Sequence, residues 1–117
     1  MHNFRKLVVY QRALLFGKNV RVITRKFPKE ELFVLTSQFR RAADSIVLNI
    51  AEGAGNNSKK EFVKFLGYAI RSGYECLGCL DIALTEKYIE QNHHDKLSKE
   101  VDEIVSMLVG LQRSLIK

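Results

Sequence analysis

Two rows of polar residues in the central third of the sequence are the first candidates for chemistry. The rows step by three and four residues, and they are Gln38, Arg41, Ser45, Asn49 and Glu52, then Glu61, Lys64, Tyr68, Arg71 and Glu75. Side chains at this spacing lie along one side of a helix. Each row therefore predicts either a recognition surface or a polar network between packed helices.

We expect the two rows to meet across an antiparallel helical hairpin. Arg41 would then face Arg71 or Glu75, and Glu52 would face Lys60 or Lys64. Surface ion pairs of this kind contribute little individually. The residues assigned to the polar network or to an interface between subunits are Gln38, Arg41, Ser45, Asn49, Glu52, Tyr68 and Glu75.

Positive charge is concentrated in the first part of the chain. Residues 1–71 contain 14 Lys and Arg against 5 Asp and Glu, a net of +9, whereas the remainder has a net of −3. Such an excess favours an acidic partner, of which nucleic acid is the commonest, although ordinary solubility charge is the alternative. The residues predicted to face phosphates are Arg21, Arg25, Arg40, Arg41, Lys59, Lys60, Lys64 and Arg71, with Tyr68 as a possible stacking platform.

Other motifs indicate structure rather than catalysis. Cys76 and Cys79 form a C-x-x-C deep within a helical pattern, which predicts small core residues instead of a redox pair at a helix start. A zinc site would need two further ligands, and only His93 and His94 are near a loop. No nucleophile–base pair is visible. The sequence therefore predicts no enzyme, no cofactor and no metal.

Three interruptions divide the chain into four helix-compatible segments. They are Pro28, the cluster from Gly53 to Asn57, and the weaker break at residues 90–94. We predict helices at roughly 4–27, 29–52, 58–90 and 94–116, packed as an all-α, antiparallel up-down-up-down four-helix bundle that forms one domain over residues 1–117. Gly53 is expected to cap the second helix, and Ser58 with Glu61 to form a capping box at the third.

The first two helices contain more apolar residues than one core face needs. In the first helix we expect an inward stripe of Leu7, Tyr10, Leu14, Gly17, Val20 and Ile23. The surplus outside the core stripes consists of Val8, Val9, Leu15, Phe16 and Val22, with Phe33, Val34, Val47 and Leu48 on the second helix. Clustered exposed apolar side chains mark interfaces, so self-association is expected.

Length and hydropathy set the class of protein. The 117 residues suffice for a core without disulfides. Apolar runs are too short to cross a membrane, and the N-terminus has no signal-peptide pattern, so a cytoplasmic protein is expected.

Short motifs between residue 9 and about residue 89 resemble one family. They are Val9-Tyr10-Gln11-Arg12-Ala13, Phe27-Pro28 with Glu31, Leu35-Thr36-Ser37-Gln38, Arg40-Arg41-Ala42, Ser45-Ile46, Asn49-Ile50-Ala51-Glu52-Gly53, Ser58 with Glu61-Phe62, Phe65-Leu66, and Ser72 with Glu75. The chain resembles the four-helix-bundle proteins encoded within intervening sequences of bacterial large-subunit rRNA genes. It departs from their pattern at Val47, where proline is common, and at Asn56-Asn57, where the turn usually carries an arginine.

The resemblance implies a bundle that assembles into a ring, with a homopentamer as the expected form. It also implies a relationship to accessory proteins of diversity-generating retroelements, which bind nucleic acid and a reverse transcriptase. Two functions remain open at this point. One is a ring that binds RNA or DNA through basic residues; the other is a structural or adaptor protein whose charges serve assembly or an acidic protein partner.

Overall fold

The helices account for most of the chain, which a computed structural model describes over residues 3–117. They are α1 (Val8–Thr24), α2 (Ser37–Ala54), α3 (Lys59–Thr85) and α4 (Gln91–Ile116). Short 3₁₀ turns at Phe4–Lys6 and Lys29–Glu31 and a π-helical turn at Leu32–Thr36 complete the regular structure. No strand occurs within residues 3–117, and the all-α prediction is confirmed.

The helices pack as an antiparallel up-down-up-down bundle, as predicted. Each helix contacts the next along the chain, and α4 contacts α1 to close the bundle. The molecule measures 44 × 23 × 20 Å. At the α1–α4 seam, Arg12 Nη2 lies 2.9 Å from Glu103 Oε2. That hydrogen bond and the arginine charge lower the pKa of Glu103.

The inward stripe of α1 differs from the predicted one. Val9 and Phe16, predicted to lie outside the core, are 4% and 1% exposed. Leu14, predicted to point inward, is 49% exposed. The true stripe consists of Val9, Ala13, Phe16, Gly17, Val20, Ile23 and Thr24. Because α1 is apolar on several sides, the helical period fitted two neighbouring stripes and did not distinguish them.

The second predicted helix consists of three segments of different pitch: a 3₁₀ turn, a π-helical turn and α2. A π-helical turn over Leu32–Thr36 precedes α2, and this wider turn changes the direction in which its side chains point. Leu32, the first residue of this turn, is 45% exposed. Glu31 closes the turn by accepting a hydrogen bond from the Leu35 amide at 3.3 Å. Its other oxygen accepts the hydroxyl of Tyr88 at 2.8 Å and raises the pKa of that tyrosine to about 12.

The turns confirm one predicted cap and correct another. Ser58 Oγ accepts a hydrogen bond from the Glu61 amide at 3.2 Å, as the capping motif predicts. Gly53 is not a cap, because α2 continues to Ala54 and Gly55 follows it. Gly53 is buried instead, and a Cβ on it would lie 2.6 Å from Phe65 Cβ. The third helix ends at Thr85, earlier than predicted, and α4 begins at Gln91.

Both cysteines lie inside the bundle. Cys76 and Cys79 are 0% and 2% exposed within α3, which confirms them as core residues. Burial raises the pKa of the Cys76 thiol and, with the nearby Glu75 charge, raises the pKa of Cys79 to about 11. Over residues 3–117 we find no helix with the length and apolarity that a membrane span requires.

Candidate polar cluster and nucleic-acid interface

A chain of hydrogen bonds joins α2 to α3 at the middle of the bundle. Asn49 Nδ2 donates to the Ser45 carbonyl at 2.8 Å and to Ser45 Oγ at 2.9 Å. Ser72 Oγ lies 2.9 Å from Ser45 Oγ and 3.1 Å from the carbonyl oxygen of Tyr68. Each hydroxyl has one proton, so a relay from Asn49 through Ser45 and Ser72 to the Tyr68 carbonyl satisfies every group.

Ser72 belongs to this cluster although it was not among the predicted network residues. It is only 8% exposed, and it follows Arg71 directly, so it lies outside the α3 row of residues spaced by three and four. Its spacing of four residues from Tyr68 was the available signal, because a serine in a helix commonly bonds the carbonyl one turn earlier.

Gln38 and Arg41 of the α2 row line an open groove beside the cluster, whereas Glu52 lies outside it. This α2–α3 groove has a volume of about 580 Å³ and is lined by Phe33, Val34, Ser37, Gln38, Arg41, Ala42, Ser45 and Glu75. Arg41 and Glu75 share it, as the hairpin geometry predicts, but within the described residues no hydrogen bond or ion pair joins them. Arg41 therefore keeps its donors available to another molecule.

The contacts of Glu52 and Tyr68 also differ from those predicted. Glu52 forms no ion pair with Lys60 or Lys64 among residues 3–117, and Lys64 Nζ instead lies 3.9 Å from Glu61 Oε1 on its own helix. The Tyr68 ring packs edge-on against Phe65 at 5.4 Å between centroids. The Arg71 guanidinium lies 5.7 Å from the Tyr68 centroid. Tyr68 is therefore partly covered by its own helix rather than a free platform for stacking.

Two of the predicted phosphate-facing arginines connect α1 to α2. Arg21 donates to both carboxylate oxygens of Asp44, at 2.8 and 2.7 Å. That hydrogen bonding, with the Asp44 charge, raises the pKa of Arg21. Arg40 Nε donates to Thr24 Oγ1 at 2.9 Å. Arg21 is therefore paired with a carboxylate that is distant in sequence and adjacent in space.

The eight predicted basic residues do not form one surface. Arg21 and Arg40 lie at the α1–α2 seam, and Arg41 lies in the α2–α3 groove. Arg25 directly follows α1 at the opposite end from the α2–α3 turn. Lys59 and Lys60 line a hollow with residues at the end of α4. The roles assigned to these residues stay predictions.

One end of the bundle is strongly basic. The 3₁₀ turn before α1, the α2–α3 turn and the end of α4 come together there, because the helices alternate in direction and Lys59 and Lys60 lie beside Leu115 and Ile116. Only Glu52 and Glu61 are acidic in this region. We call it the basic end, and its basic residues are Arg5, Lys6, Lys59, Lys60, Lys64, Arg113 and Lys117.

Four members of the basic end were not among the predicted residues. Arg5, Lys6, Arg113 and Lys117 lie near the two ends of the sequence. In the sequence these four residues are far from Lys59 and Lys60, so a count of charge along the chain does not group them. The antiparallel topology, which the sequence did predict, brings them together.

Comparison with known proteins identifies the family. A sequence model of the 23S rRNA-intervening sequence proteins matches residues 5–110. The chain belongs to this family. A comparison with curated proteins finds no match.

Solved structures support the fold of this family member. It is similar to a protein with unknown function from the S23 ribosomal protein family of Bacteroides thetaiotaomicron, with a TM-score of 0.83. The two sequences are 23% identical, and the match covers 90% of this chain and 98% of the other. At that identity the likeness concerns the fold.

Large apolar side chains are exposed on the α2 side of this family member. Phe33 is 88%, Val34 60% and Leu48 62% exposed, as the surplus of apolar residues predicts. Phe33 and Val34 border the α2–α3 groove, so an apolar margin adjoins the free charges of Arg41 and Glu75. Among the described residues no cluster of three or more His, Cys, Asp or Glu is placed to hold a metal ion.

Proposed function

We propose that this member of the 23S rRNA-intervening sequence protein family is a non-enzymatic bundle that assembles with copies of itself and binds RNA or other nucleic acid at its basic end. The observation that carries the proposal is the composition of that end, where seven Lys and Arg meet two Glu. Phosphate groups of a nucleic acid are the ligands that such a surface attracts, and their neutralisation releases condensed counterions.

The two ends of the bundle differ in charge. Two helices begin and two end at each of them, so the macrodipoles largely cancel and the side chains set the difference. The opposite end of the bundle, residues 25–31 and 81–96, has five basic and six acidic residues. The charge of the molecule is therefore polarised along its axis, which favours contact with a polyanion through one end.

A binding titration with structured RNA at several salt concentrations tests this proposal. We expect affinity to fall steeply between about 50 and 200 mM salt. Lys59→Glu with Lys60→Glu should weaken binding at least about tenfold and reduce the salt slope by about two. The matched control is Lys18→Glu with Lys99→Glu, which changes the net charge equally at exposed residues outside the basic end. Equal losses in the two double variants, or binding insensitive to salt, would contradict the proposal.

Self-assembly is supported by the exposed apolar residues of α2 and the turn before it. Burial of a side chain as large as Phe33 is worth about 1.5–3 kcal/mol per copy, and closed rings are a usual form of homo-oligomers. A ring, with a pentamer as the form expected from the resemblance, would cover Phe33, Val34 and Leu48.

Light scattering coupled to size-exclusion chromatography measures this assembly. Phe33→Ser should lower the particle mass without unfolding the monomer, because Phe33 is 88% exposed. Leu15→Ser, at a residue that is 57% exposed at the α1–α4 seam, is the control and should leave the mass unchanged. If wild type is monomeric at all concentrations, the assembly part of the proposal is wrong.

The second candidate function is a structural or adaptor role, in which charge serves assembly or an acidic protein partner. The free guanidinium of Arg41 beside Glu75 favours it. Arg41→Glu separates the two functions: it should dissociate the oligomer if Arg41 makes contacts between subunits. Unchanged mass with weakened RNA binding would instead assign Arg41 to nucleic acid.

A further inference from the structure

A second concave site lies at the opposite end of the molecule from the basic end. It occupies about 340 Å³ between the end of α1, the α3–α4 turn and the start of α4. Its apolar lining comes from Val22, Ile23, Ile89 and Leu97. The volume is at the lower end of the range for small-molecule pockets, about 300–1,000 Å³. We call it the α1–α4 cavity.

Three lysines surround this apolar lining. Lys26, Lys87 and Lys96 all line the cavity, and none makes an ion pair with another residue of the described chain. Glu90 is the only carboxylate among the lining residues, and His93 contributes an imidazole. The cavity therefore combines an apolar floor with an excess of uncompensated positive charge.

Other acidic residues lie near the cavity without lining it. Glu31 accepts the Tyr88 hydroxyl at 2.8 Å, and the charges of Glu30 and Glu86 also act on Tyr88. Glu100 accepts a hydrogen bond from Asn19 at 3.4 Å. Among the lining residues themselves, three lysines face one carboxylate, so positive charge is in excess there.

The backbone at Lys87 is unusual for a lysine. Its φ of 63° makes it the one residue other than glycine with a positive φ among those described. Hydrogen bonds from the Tyr88 amide to Ala83 O at 2.8 Å and from the Lys87 amide to Leu84 O at 3.0 Å end α3 there. Glycine is the usual residue at this position, because it avoids the steric cost of a side chain. Lysine places a charge beside the cavity at some cost in stability.

The helix termini add no clear net potential to the site. The start of α4 brings partial positive charge, but the ends of α1 and α3 border the same cavity and bring partial negative charge. The attraction for an anion therefore rests on the three lysines.

We propose that the α1–α4 cavity binds a small organic anion, whose apolar body lies on Val22 and Leu97 and whose anionic group lies among Lys26, Lys87 and Lys96. This site is separate from the basic end, and its ligand is a small molecule rather than a polyanion. Apolar contact supplies most of the affinity, and the lysines select for negative charge.

A matched pair of fluorescent probes tests the charge requirement. 1-Anilinonaphthalene-8-sulfonate carries a sulfonate, and N-phenyl-1-naphthylamine has the same rings without it. We expect the sulfonate to bind the folded protein at least about tenfold more tightly, since hydrogen bonds to charged groups are worth about 1.5–3 kcal/mol. Equal affinity for both probes would overturn the proposal, because the cavity would then recognise apolar surface alone.

Substitutions on α4 locate the probe. Lys96→Ala should weaken sulfonate binding about three- to tenfold. Lys99→Ala removes the same charge from the same helix outside the cavity lining and should leave binding unchanged. Equal effects of the two substitutions would show that the probe binds elsewhere and would refute the site.

Lys87→Gly separates binding from folding. Because glycine suits the left-handed conformation, the variant should melt at the same or a higher temperature than wild type. It should nevertheless bind the sulfonate several-fold more weakly. A variant that melts higher with unchanged sulfonate affinity would exclude Lys87 from the site and contradict the proposal.

Discussion

At the scale of single residues, Gly53 determines how closely α2 and α3 approach each other. It lies against the first turns of α3, where a Cβ would come 2.6 Å from Phe65 Cβ and 3.1 Å from Phe62 Cδ1. A glycine near the end of a helical pattern is usually a cap, and the packing role of Gly53 was therefore not predicted. The close approach depends on the partner helix, which local sequence does not contain.

Gly53→Ala should therefore destabilise the protein by about 1–3 kcal/mol, because overpacking outweighs the better helix propensity of alanine. Gly78→Ala is the matched control. A Cβ on Gly78 meets nothing within 4 Å, so this substitution in the interior of α3 should stabilise by about 0.5–1 kcal/mol. Urea denaturation of both variants measures the difference. A neutral or stabilising Gly53→Ala would refute the packing role.

His94 provides a pH dependence at the same scale. Its hydrogen bond with Asp81, 2.8 Å long, raises its pKa, with Asp95 acting in the same direction and burial opposing. The folded state thus binds the proton more tightly than the unfolded state, whose pKa is about 6.5. This contribution to stability is complete below about pH 6.5 and is lost as the pH rises through the folded pKa.

We therefore expect the free energy of unfolding to decrease from about pH 6 to pH 8. Asp81→Asn should remove part of this decrease, because the neutral amide no longer favours the protonated imidazole. Chemical denaturation across this range, in parallel for the two proteins, gives the comparison. Identical pH profiles would mean that Asp81 does not hold the proton on His94.

At the scale of elements, the sequence predicted helix number and order well and helix phase less well. Long apolar periodicities and few breaks were enough for four antiparallel helices. The predicted core stripe of α1 wrongly included Leu14, because apolar residues occur on several sides of this helix. The π-helical turn at Leu32–Thr36 was missed, since it changes pitch without any proline or glycine to mark it.

The site residues show the same limit: contacts that follow from spacing along a helix are predictable, and contacts that depend on how helices are rotated against each other are not. The structure places Ser45 against Ser72 of α3 and Arg41 in a groove with Glu75, which helical spacing and a hairpin are enough to suggest. The pairing of Arg21 with Asp44 requires the relative rotation of α1 and α2, and the α1–α4 cavity requires the chain to close on itself. Neither could be predicted without three-dimensional packing.

The start of α3 offers an element-scale prediction. Ser58 Oγ is the acceptor for the Glu61 amide, so Ser58→Ala should cost about 1 kcal/mol and lower the melting temperature by about 4 °C. Asn57→Ala, one residue earlier in the same exposed turn, forms no such cap and should change the melting temperature little. Thermal unfolding followed by circular dichroism distinguishes them; equal shifts would argue against the cap.

At the scale of the whole molecule, the helix directions convert a charge gradient along the sequence into a charge difference between two ends. The exposed residues Phe33, Val34 and Leu48 lie on α2 and the turn before it, outside the basic end. Proposed contacts between copies and proposed contacts with nucleic acid thus use different surfaces. A ring formed through α2 would leave the basic ends of all copies free to bind together.

If folding is coupled to this assembly, melting temperature depends on protein concentration. Each tenfold increase in concentration is worth at most about 1.4 kcal/mol per copy, which should raise the melting temperature by at most about 6 °C. Phe33→Ser should remove this dependence, and Leu15→Ser should retain it. Scanning calorimetry over a hundredfold range of concentration is the measurement, and a constant melting temperature in wild type would contradict coupled assembly.

The reactivity of the two thiols can be used to measure how often the bundle opens. Alkylating reagents attack thiolates, and Cys76 and Cys79 are both buried in α3 with raised pKa values. At neutral pH, modification requires α3 to separate from its neighbours before a thiol can ionise and react. The rate of alkylation therefore measures how often the bundle opens, and no cysteine has to be introduced for the assay. The same assay, repeated with RNA or with neighbouring copies bound, would show which partner holds the helices closed.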